Sequence, residues 1–267
     1  MKVIIVLGLL ITVVTALPKR LVVPVKDARV GHSRIISGHP ASDGQFPHQV
    51  SNEFVVAQGS SFCGGALISS RWVLTAGHCA DGALSFTITL GTTHSTGDDP
   101  NGVVRRTTTA IVHEEYSLLF VWNDVALVDL LEDVVFTDVI QPIVLGTEHV
   151  GDGVRLTVSG WGKTSDASNE KSPTLNFVDL DTISNSKCRE VYGITITDKS
   201  ICCIGHPEHS PCSGDSGGPL VKYYDGIPQH IGVVSFVHDL GCASGNPSGY
   251  ARTASYIPWI ENHTGPL

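Results

Sequence analysis

Short apolar or alternating runs separated by turn residues make up most of the chain after Val50. Clear examples are residues 66–68, 86–90, 125–128 and 154–158, which Gly, Asp, Asn and Pro break from their neighbours. Strands that recur at a spacing of about ten residues are typical of a β-sandwich or a β-barrel. The pattern therefore predicts an all-β fold of one of these two kinds.

Two stretches do not follow the strand pattern. Residues 255–263 place Tyr256, Trp259 and Ile260 at helical spacing, which predicts a short C-terminal helix. Residues 17–34 contain two prolines and five basic residues, and we expect them to form a linker rather than part of the core.

The first sixteen residues have the organisation of a secretory signal peptide. Lys2 supplies a positive charge, residues 3–14 form a run of twelve mainly apolar residues, and residues 14–16 suit signal-peptidase cleavage. A membrane anchor is the alternative, but a bilayer span needs about 20 apolar residues, and no later segment is apolar enough. We therefore predict a signal peptide over residues 1–16 and a secreted, extracellular protein with no membrane partner.

Charge and cysteine content constrain the 267-residue chain further; its length suits one large domain or two small ones. Residues 35–267 carry 11 basic and 25 acidic side chains, a net charge of −14. Such a surface repels nucleic acid, so we expect no nucleic-acid partner. In an oxidising compartment the seven cysteines form disulfides, and their odd number leaves at least one thiol over.

A serine among glycines is the candidate nucleophile, in residues 214–219, Gly-Asp-Ser-Gly-Gly-Pro. The hydroxyl of Ser216 would need an adjacent base to take its proton and a third group to orient that base. The glycines let the backbone bend sharply, which would direct the N–H groups of Gly214 and Ser216 toward a bound carbonyl as an oxyanion hole. A glycine-rich turn with an incidental serine is the simpler alternative.

The base and its orienting acid are predicted in two earlier segments. The chain has twelve histidines, but His78 follows an apolar strand directly, in Leu-Thr-Ala-Gly-His-Cys. Asp124 leads into the apolar run Val-Ala-Leu, although an exposed turn aspartate is the alternative for it taken alone. The chain order His78, Asp124, Ser216 differs from the order in subtilisin-like and α/β-hydrolase enzymes.

The sequence from Ile35 to the C-terminal helix resembles the trypsin/chymotrypsin family of serine proteases. Besides the three segments above, residues 62–65, 158–162 and 234–236 fall at that family's landmarks. Gly77 departs from the alanine of many members, which costs a little backbone entropy but removes no reacting group.

The resemblance implies two six-stranded antiparallel β-barrels, at about residues 47–140 and 150–252, and a short C-terminal helix at about 255–263. His78 and Asp124 would come from the first barrel and Ser216 from the second, with the catalytic groups in the cleft between them. Residues 17–34 would be an activation propeptide and residues 35–267 the protease domain.

Activation by cleavage after Arg34 is a further implication of the resemblance. Cleavage would free the ammonium group of Ile35, which pairs in this family with the aspartate before the nucleophile, here Asp215. A buried carboxylate is costly without a partner, so the loop that carries Gly214 and Ser216 should hold its geometry only after cleavage. The activating partner would be a trypsin-like protease. An ordinary linker boundary at Arg34 is the alternative.

The family's spacing implies three disulfides and one odd thiol. The implied bonds are Cys63–Cys79, Cys188–Cys202 and Cys212–Cys242. Cys203 is then the odd thiol, although Cys202 and Cys203 could exchange roles.

Two metal sites are alternatives to these assignments. Residue types suited to zinc occur at Cys202, Cys203, His206, His209 and Cys212. Secretion favours disulfides over such a site. A calcium loop is suggested by Asp98, Asp99 and Asn101, but no full set of oxygen ligands follows, and an exposed turn fits better. We expect no metal and no cofactor.

The resemblance also places the primary specificity pocket. Its base would be Ser210, six residues before the nucleophile, where a carboxylate would favour Lys or Arg and a hydroxyl does not. Ser235 would also belong to the pocket. Val237 and Ser248 map to the pocket walls through Ser235 and the sequence at 247–250, and an open aromatic-binding pocket would have glycines at these two wall positions. A valine narrows the entrance. We therefore predict cleavage after small or medium apolar residues, as in elastases, with aromatic residues second.

Residues 33–38, 44–47 and 235–237 are similar to arthropod gut chymotrypsins and brachyurin-type collagenolytic proteases, which implies a digestive role. The prediction is a secreted, monomeric serine endopeptidase made as a zymogen, which hydrolyses proteins or peptides through an acyl-enzyme and binds protein protease inhibitors. The alternatives are a narrow-specificity regulatory or venom protease and a non-catalytic homologue that acts as a binding protein. Asn262 lies in an Asn-His-Thr triplet that fits N-glycosylation.

Overall fold

The computed structural model describes residues 22–24, 38–96, 99–163, 170–205 and 209–267, and strands are their main regular structure. The strands are β1 Val22–Pro24, β2 His39–Pro40, β3 Gln49–Val56, β4 Gly59–Leu67, β5 Trp72–Thr75, β6 Ser85–Leu90, β7 Val103–Thr107, β8 Ala110–Val112, β9 Ala126–Asp129, β10 Val144–Leu145, β11 Arg155–Gly160, β12 Asn176–Ile183, β13 Ser200–Ile204, β14 Pro219–Tyr224, β15 Ile227–His238 and β16 Ser248–Arg252. The helices are α1 Gly77–Ala80, α2 Asn185–Tyr192 and α3 Ile257–Thr264, with 3₁₀ turns at Gly193–Thr195 and Thr253–Ser255.

The first sheet has the order β7-β6-β3-β4-β5-β9-β8, and all its neighbouring strands are antiparallel. It has seven strands where six were expected. The extra strand arises because β7 and β8 are successive parts of one stretch, interrupted where the Thr109 N–H donates to the Thr107 hydroxyl. The first part pairs with β6 and the second with β9, so the interrupted stretch joins the two ends of the sheet in a barrel-like form.

The second sheet contains a closed six-stranded barrel. Its strands follow the order β15-β14-β11-β12-β13-β16, and pairing of β16 with β15 completes the circle. Three short strands, β1, β2 and β10, attach to β15 or β12 outside this circle. The predicted all-β fold of two barrels is confirmed, with the difference in strand number in the first sheet.

Each barrel buries the apolar positions of its strands. Phe86, Ile88 and Leu90 alternate along β6 and face the core of the first barrel, while Leu156 and Val158 do so in the second. The two barrels also share polar contacts: the buried Ser159 hydroxyl donates to Gln49 Oε1 over 2.6 Å. The functional side chains described below lie where the two barrels meet.

The prediction that residues 17–34 form only a linker is wrong for Val22–Pro24. These residues form β1, which pairs with the C-terminal end of β15, and both Val22 and Pro24 are buried. Proline signals suggested a linker, but proline is also tolerated in an edge strand because such a strand leaves some N–H groups unpaired.

The C-terminal helix is confirmed, whereas α2 was not predicted. Helix α3 packs Ile260 into the core of the first barrel. Helix α2 begins after Ser184, whose hydroxyl accepts from the Lys187 N–H, and it buries only Cys188 and Tyr192. Two buried positions give too weak a periodic pattern to detect. Among the described residues, no helix is long and apolar enough to cross a membrane.

The structure contains the three disulfides that the resemblance implied. Cys63 is bonded to Cys79, Cys188 to Cys202, and Cys212 to Cys242. Cys203 is the free thiol, so it does not exchange roles with Cys202. It is fully buried, and burial raises the pKa of its thiol, which disfavours the reactive thiolate.

Candidate active site

The pairing of β5 with β9 brings His78 and Asp124 to one edge of the first barrel. The two strands are antiparallel, with Thr75 at the end of β5 opposite Ala126 at the start of β9. His78 follows Thr75 by three residues, in α1, and Asp124 precedes Ala126 by two. The sheet register therefore places the two side chains together, although they are 46 residues apart in sequence.

Asp124 is surrounded by three hydrogen-bond donors. Its Oδ1 accepts from the backbone N–H of His78 over 2.8 Å. Its Oδ2 lies 2.8 Å from His78 Nδ1 and accepts from the Ser235 hydroxyl over 2.5 Å. Burial, the largest influence, would raise the pKa of Asp124, but the charge of His78 and these hydrogen bonds together lower it. Asp124 is therefore held as a carboxylate that fixes the orientation of the His78 ring.

Glycines give the segment around Ser216 its shape. Gly214 has φ +104° and Gly217 has φ +77°, both in the region that favours glycine. A Cβ on Gly217 would lie 2.1 Å from the Thr75 hydroxyl, so a side chain there would clash with the end of β5. The backbone at Gly217 thus packs directly against the strand that leads to His78.

The carbonyl of Ser216 binds the first barrel, while its hydroxyl and N–H groups have no partner among the described residues. Its carbonyl accepts from the Gly64 N–H over 2.7 Å, and Gly64 is next to Cys63, which is bonded to Cys79 beside His78. In the described part of the chain, the Ser216 hydroxyl has no hydrogen-bond partner, and the N–H groups of Gly214 and Ser216 donate to none. Buried donors without partners are rare, so these three groups are suited to receive a bound molecule.

Asp215 is completely buried behind the same segment. Its carboxylate accepts from the N–H groups of Gly162, over 2.7 Å, and Cys212, over 2.8 Å. A Cβ at Gly160 or Gly162 would lie within 2.2 Å of its oxygens, so both glycines are needed to accommodate the carboxylate. Burial raises the pKa of Asp215 to about 7, an effect that the hydrogen bonds from Cys212 and Gly162 only partly offset.

Three of the predicted pocket residues lie together with the Cys212–Cys242 disulfide. Val237 packs in the apolar cluster that contains Cys212, Cys242 and Tyr250. The buried Ser248 hydroxyl lies 2.8 Å from the hydroxyl of Tyr250. Ser210, also buried, donates to the carbonyl of Pro211. None of the predicted pocket residues carries a charge.

Comparison with known proteins identifies the family. The sequence profile of the family described as Trypsin matches residues 35–260. The chain belongs to the trypsin family. Trypsin-family members are serine endopeptidases that hydrolyse protein substrates, and the chain is therefore assigned to this class.

Two curated relatives of this trypsin-family chain cover most of its length. Brachyurin from Leptuca pugilator is 37% identical over 231 residues, which span 86% of this chain and 99% of brachyurin. A collagenase from Hypoderma lineatum is 38% identical over 239 residues, which span 87% of this chain and 88% of the relative. A solved structure of HL collagenase matches with a TM-score of 0.79 and 35% identity, covering 87% of this chain and 99% of that one.

The described geometry does not support the zinc site that was weighed for this trypsin-family chain. Cys202 and Cys212 are oxidised in disulfides, so neither supplies a thiolate. Cys63, His78 and Cys79 also cluster, but these two cysteines are bonded to each other. In the suggested calcium loop, the Asp99 carboxylate accepts from the Asn101 N–H, as in an ordinary turn.

Four of the residues singled out in the sequence are not described by the structure, and one further residue lies at the surface. Arg34, Ile35, Asp98 and His206 lie outside the described residues. Asn262 is exposed in α3.

One role was missed by sequence reasoning: Ser235, predicted as a pocket residue, binds Asp124 across the junction of the barrels. Its signal was its place directly before Phe236 in a predicted family landmark, but only the fold shows which carboxylate it meets.

Proposed function

We propose that this trypsin-family chain is a secreted serine endopeptidase in which Ser216 is the nucleophile, His78 the base and Asp124 the orienting acid. The observation that carries the proposal is the contact of Asp124 with His78 and Ser235, together with a buried Ser216 hydroxyl that has no hydrogen-bond partner in the described residues. A base oriented by a buried carboxylate and a serine hydroxyl that no other group binds are the parts that nucleophilic acyl transfer requires.

The proposed reaction uses these groups in two stages. The Ser216 oxygen attacks the scissile carbonyl as His78 takes its proton, and the N–H groups of Gly214 and Ser216 stabilise the oxyanion. His78 then gives the proton to the leaving amine, which leaves an acyl group on Ser216. A water molecule, deprotonated by His78, attacks the acyl carbon and releases the carboxylic acid product, with the proton returned to Ser216.

The proposal includes activation of a zymogen by cleavage after Arg34. The match to the trypsin family begins at Ile35, directly after this arginine. Asp215 lies buried beside Cys212 and Gly162 without a described cation, and the freed ammonium of Ile35 would supply its missing charge. A trypsin-like protease would perform this cleavage.

An uncharged, apolar residue before the scissile bond is the proposed preference. Ser210 would supply a hydroxyl in place of a carboxylate, and Val237, which packs in one cluster with the Cys212–Cys242 disulfide, would narrow the pocket. Small or medium aliphatic residues are expected first and aromatic residues second. A digestive role, inhibition by protein protease inhibitors and glycosylation at Asn262 complete the proposal. Because two relatives are named brachyurin and collagenase, collagen is a substrate to include in its test.

Cleavage of the purified zymogen by trypsin should produce an N-terminus at Ile35 and a protein that a fluorophosphonate labels at Ser216. Peptides that differ only in the residue before the scissile bond should then be cut after valine, alanine or leucine in preference to lysine or arginine. N-terminal sequencing and kcat/KM values measure these outcomes, with Ser216→Ala as the unlabelled control. Absence of labelling in the cleaved protein would contradict the protease proposal, whereas a preference for lysine or arginine would contradict only the pocket assignment.

Val237→Gly should shift specificity toward aromatic residues, because it removes the side chain that narrows the pocket. We expect the ratio of kcat/KM for phenylalanine over valine substrates to rise about 10-fold or more, the value of a small change in pocket volume. Val144→Gly, on the exposed strand β10, is the matched control. An unchanged ratio in Val237→Gly would show that residue 237 does not limit the pocket.

A further inference from the structure

The β15 edge, residues 236–238, holds a strand from the N-terminal part of the chain. Strand β1 pairs antiparallel with it: Val22 lies opposite His238, Val23 opposite Val237, and Pro24 opposite Phe236. Among the described strands, β1 is the sole sheet neighbour of Val237 and His238, since β16 pairs with β15 only as far as Phe236. The main-chain groups of this edge are therefore occupied by the chain itself.

The side chains of β1 add apolar contacts to this pairing. Val22 is 4% exposed and packs in a cluster with Val121 and Phe236. Val23 packs instead against the cluster of Val237 and the Cys212–Cys242 disulfide, which are predicted pocket groups. The side chains of two successive residues therefore contact two different apolar clusters, as expected of an extended peptide bound to a sheet edge.

The β15 edge begins directly after Ser235, which contacts the proposed orienting acid. Ser235 directly precedes Phe236, and its hydroxyl binds Asp124, which binds His78. An extended substrate that reaches Ser216 along this edge needs the same backbone groups of Val237 that β1 uses. The segment and a substrate therefore compete for one surface.

We propose that Val22–Pro24 blocks the β15 edge in the uncleaved chain and becomes a dissociable inhibitor once the chain is cut after Arg34. The inference rests on the proposed function, because it assumes cleavage at Arg34 and binding of peptide substrates near Ser216. It adds a second restraint on the enzyme, separate from the pairing of Asp215.

Because Val22–Pro24 is covalently attached to the protease domain before cleavage, a modest affinity for the β15 edge is enough to keep the edge blocked. Ten residues, 25–34, separate β1 from the cleavage site, and covalent linkage over such a short length keeps a segment at an effective concentration on the order of 1 mM. Residues 17–34 contain no cysteine, so no disulfide retains them after cleavage. They carry five basic and one acidic side chain against a protease domain with a net charge of −14, which adds a salt-sensitive attraction. After cleavage the segment is no longer held near the β15 edge, so it dissociates and is diluted into the solvent.

Pro24 indicates which residue supplies the main-chain hydrogen bonds. Antiparallel pairs alternate between those that exchange two hydrogen bonds and those that exchange none, and proline has no N–H to donate. If Pro24 and Phe236 form a pair without hydrogen bonds, the missing N–H of Pro24 removes no hydrogen bond from the sheet. The next pair, Val23 and Val237, then exchanges two hydrogen bonds. Methylation of the Val23 nitrogen should then disrupt binding, whereas methylation of the Val22 nitrogen should not.

The first test uses a synthetic peptide of residues 17–34 on the chain cleaved after Arg34. We expect competitive inhibition of peptide hydrolysis, half-maximal at or below about 1 mM, since the tethered segment must bind at its effective concentration. N-methylation at Val23, or Val22→Asp, should weaken inhibition about 10-fold or more, because each removes an interaction that the edge requires. The peptide N-methylated at Val22 is the control and should inhibit normally. Absence of inhibition by the unmodified peptide would overturn the proposal.

The second test measures hydrogen exchange in the uncleaved chain, which does not depend on activity. The Val237 amide should exchange about 10-fold faster or more in Val22→Asp than in the wild type, because the strand that protects it is displaced. Val30→Asp makes the same change six residues after β1 and should leave exchange at Val237 unchanged. Equal exchange in all three proteins would overturn the proposal. If fluorophosphonate fails to label the cleaved chain, the proposed function fails, while hydrogen exchange still decides whether β1 covers the edge.

Discussion

Asp124→Asn is expected to lower kcat of the cleaved enzyme about 10⁴-fold without unfolding it. The carboxylate accepts from His78 Nδ1 and thereby keeps the proton on that nitrogen, which leaves Nε2 able to take the proton of Ser216. Both carboxylate oxygens accept hydrogen bonds, whereas an amide has a single acceptor oxygen. An NH₂ group in place of Oδ1 would face the backbone N–H of His78, and in place of Oδ2 it would face both His78 Nδ1 and the Ser235 hydroxyl. The His78 ring then avoids the conflict by adopting the other tautomer, which cannot act as the base.

The measurement is kcat on a peptide ester at a known enzyme concentration by weight, with folding of each variant checked by circular dichroism. Asp129→Asn is the matched control, because Asp129 is a buried aspartate of β9 that binds Arg71 away from the site. That variant should lose stability but keep kcat within a few-fold. Retention of activity within 10-fold in Asp124→Asn would show that Asp124 does not set the tautomer of His78.

Asp215→Asn is expected to cost the cleaved enzyme at least about 10²- to 10³-fold in kcat, comparable to loss of an oxyanion-hole donor. A neutral amide cannot form an ion pair with the ammonium of Ile35. Its single oxygen can replace only one of the two carboxylate oxygens, so the N–H of either Cys212 or Gly162 would face an NH₂ group and lose its acceptor. The backbone next to Ser216 should then lose the geometry that presents its N–H groups. Fluorophosphonate labelling rate and kcat should fall together, whereas normal values for both would exclude Asp215 from activation.

The same aspartate should give the uncleaved chain an unusual dependence of stability on pH. Burial raises the pKa of Asp215 to about 7 from an ordinary value near 3.8, so between these values the folded chain binds a proton that the unfolded chain has released. The free energy of unfolding should therefore fall as the pH rises from about 4 to 7, by up to about 4 kcal/mol from this group. Urea unfolding of the wild type and Asp215→Asn across this range should show a steeper loss in the wild type. Parallel curves would indicate that Asp215 does not titrate in this range.

The sequence predicted those features that depend on local pattern and on family spacing. The all-β fold, the helix around Trp259 and Ile260, and the three disulfides all appear in the structure. The contact between His78 and Asp124 follows the order of strands, since an apolar strand ends just before one and another begins just after the other.

Features that depend on long-range register were not predicted. Nothing near Ser235 in the sequence indicates that its hydroxyl meets Asp124, because the two residues are 111 positions apart and belong to different barrels. Likewise, Val22–Pro24 has too few residues for a periodic pattern and gains its structure from pairing with β15. The interruption between β7 and β8 depends on a hydroxyl contact of Thr107, which propensity alone does not reveal.

The hydrogen bond from Ser235 to the proposed catalytic acid Asp124 should make activity depend on how the two barrels pack against each other. The acid belongs to one barrel and the hydroxyl that holds it belongs to the other, and Gly64 joins Ser216 across the same junction. A slight parting of the barrels would misalign the reacting groups while each hydrophobic core stayed intact. Heat or denaturant should therefore abolish activity before the barrels unfold. Mutations far from the cleft should change kcat when they strengthen or weaken the packing between the two barrels.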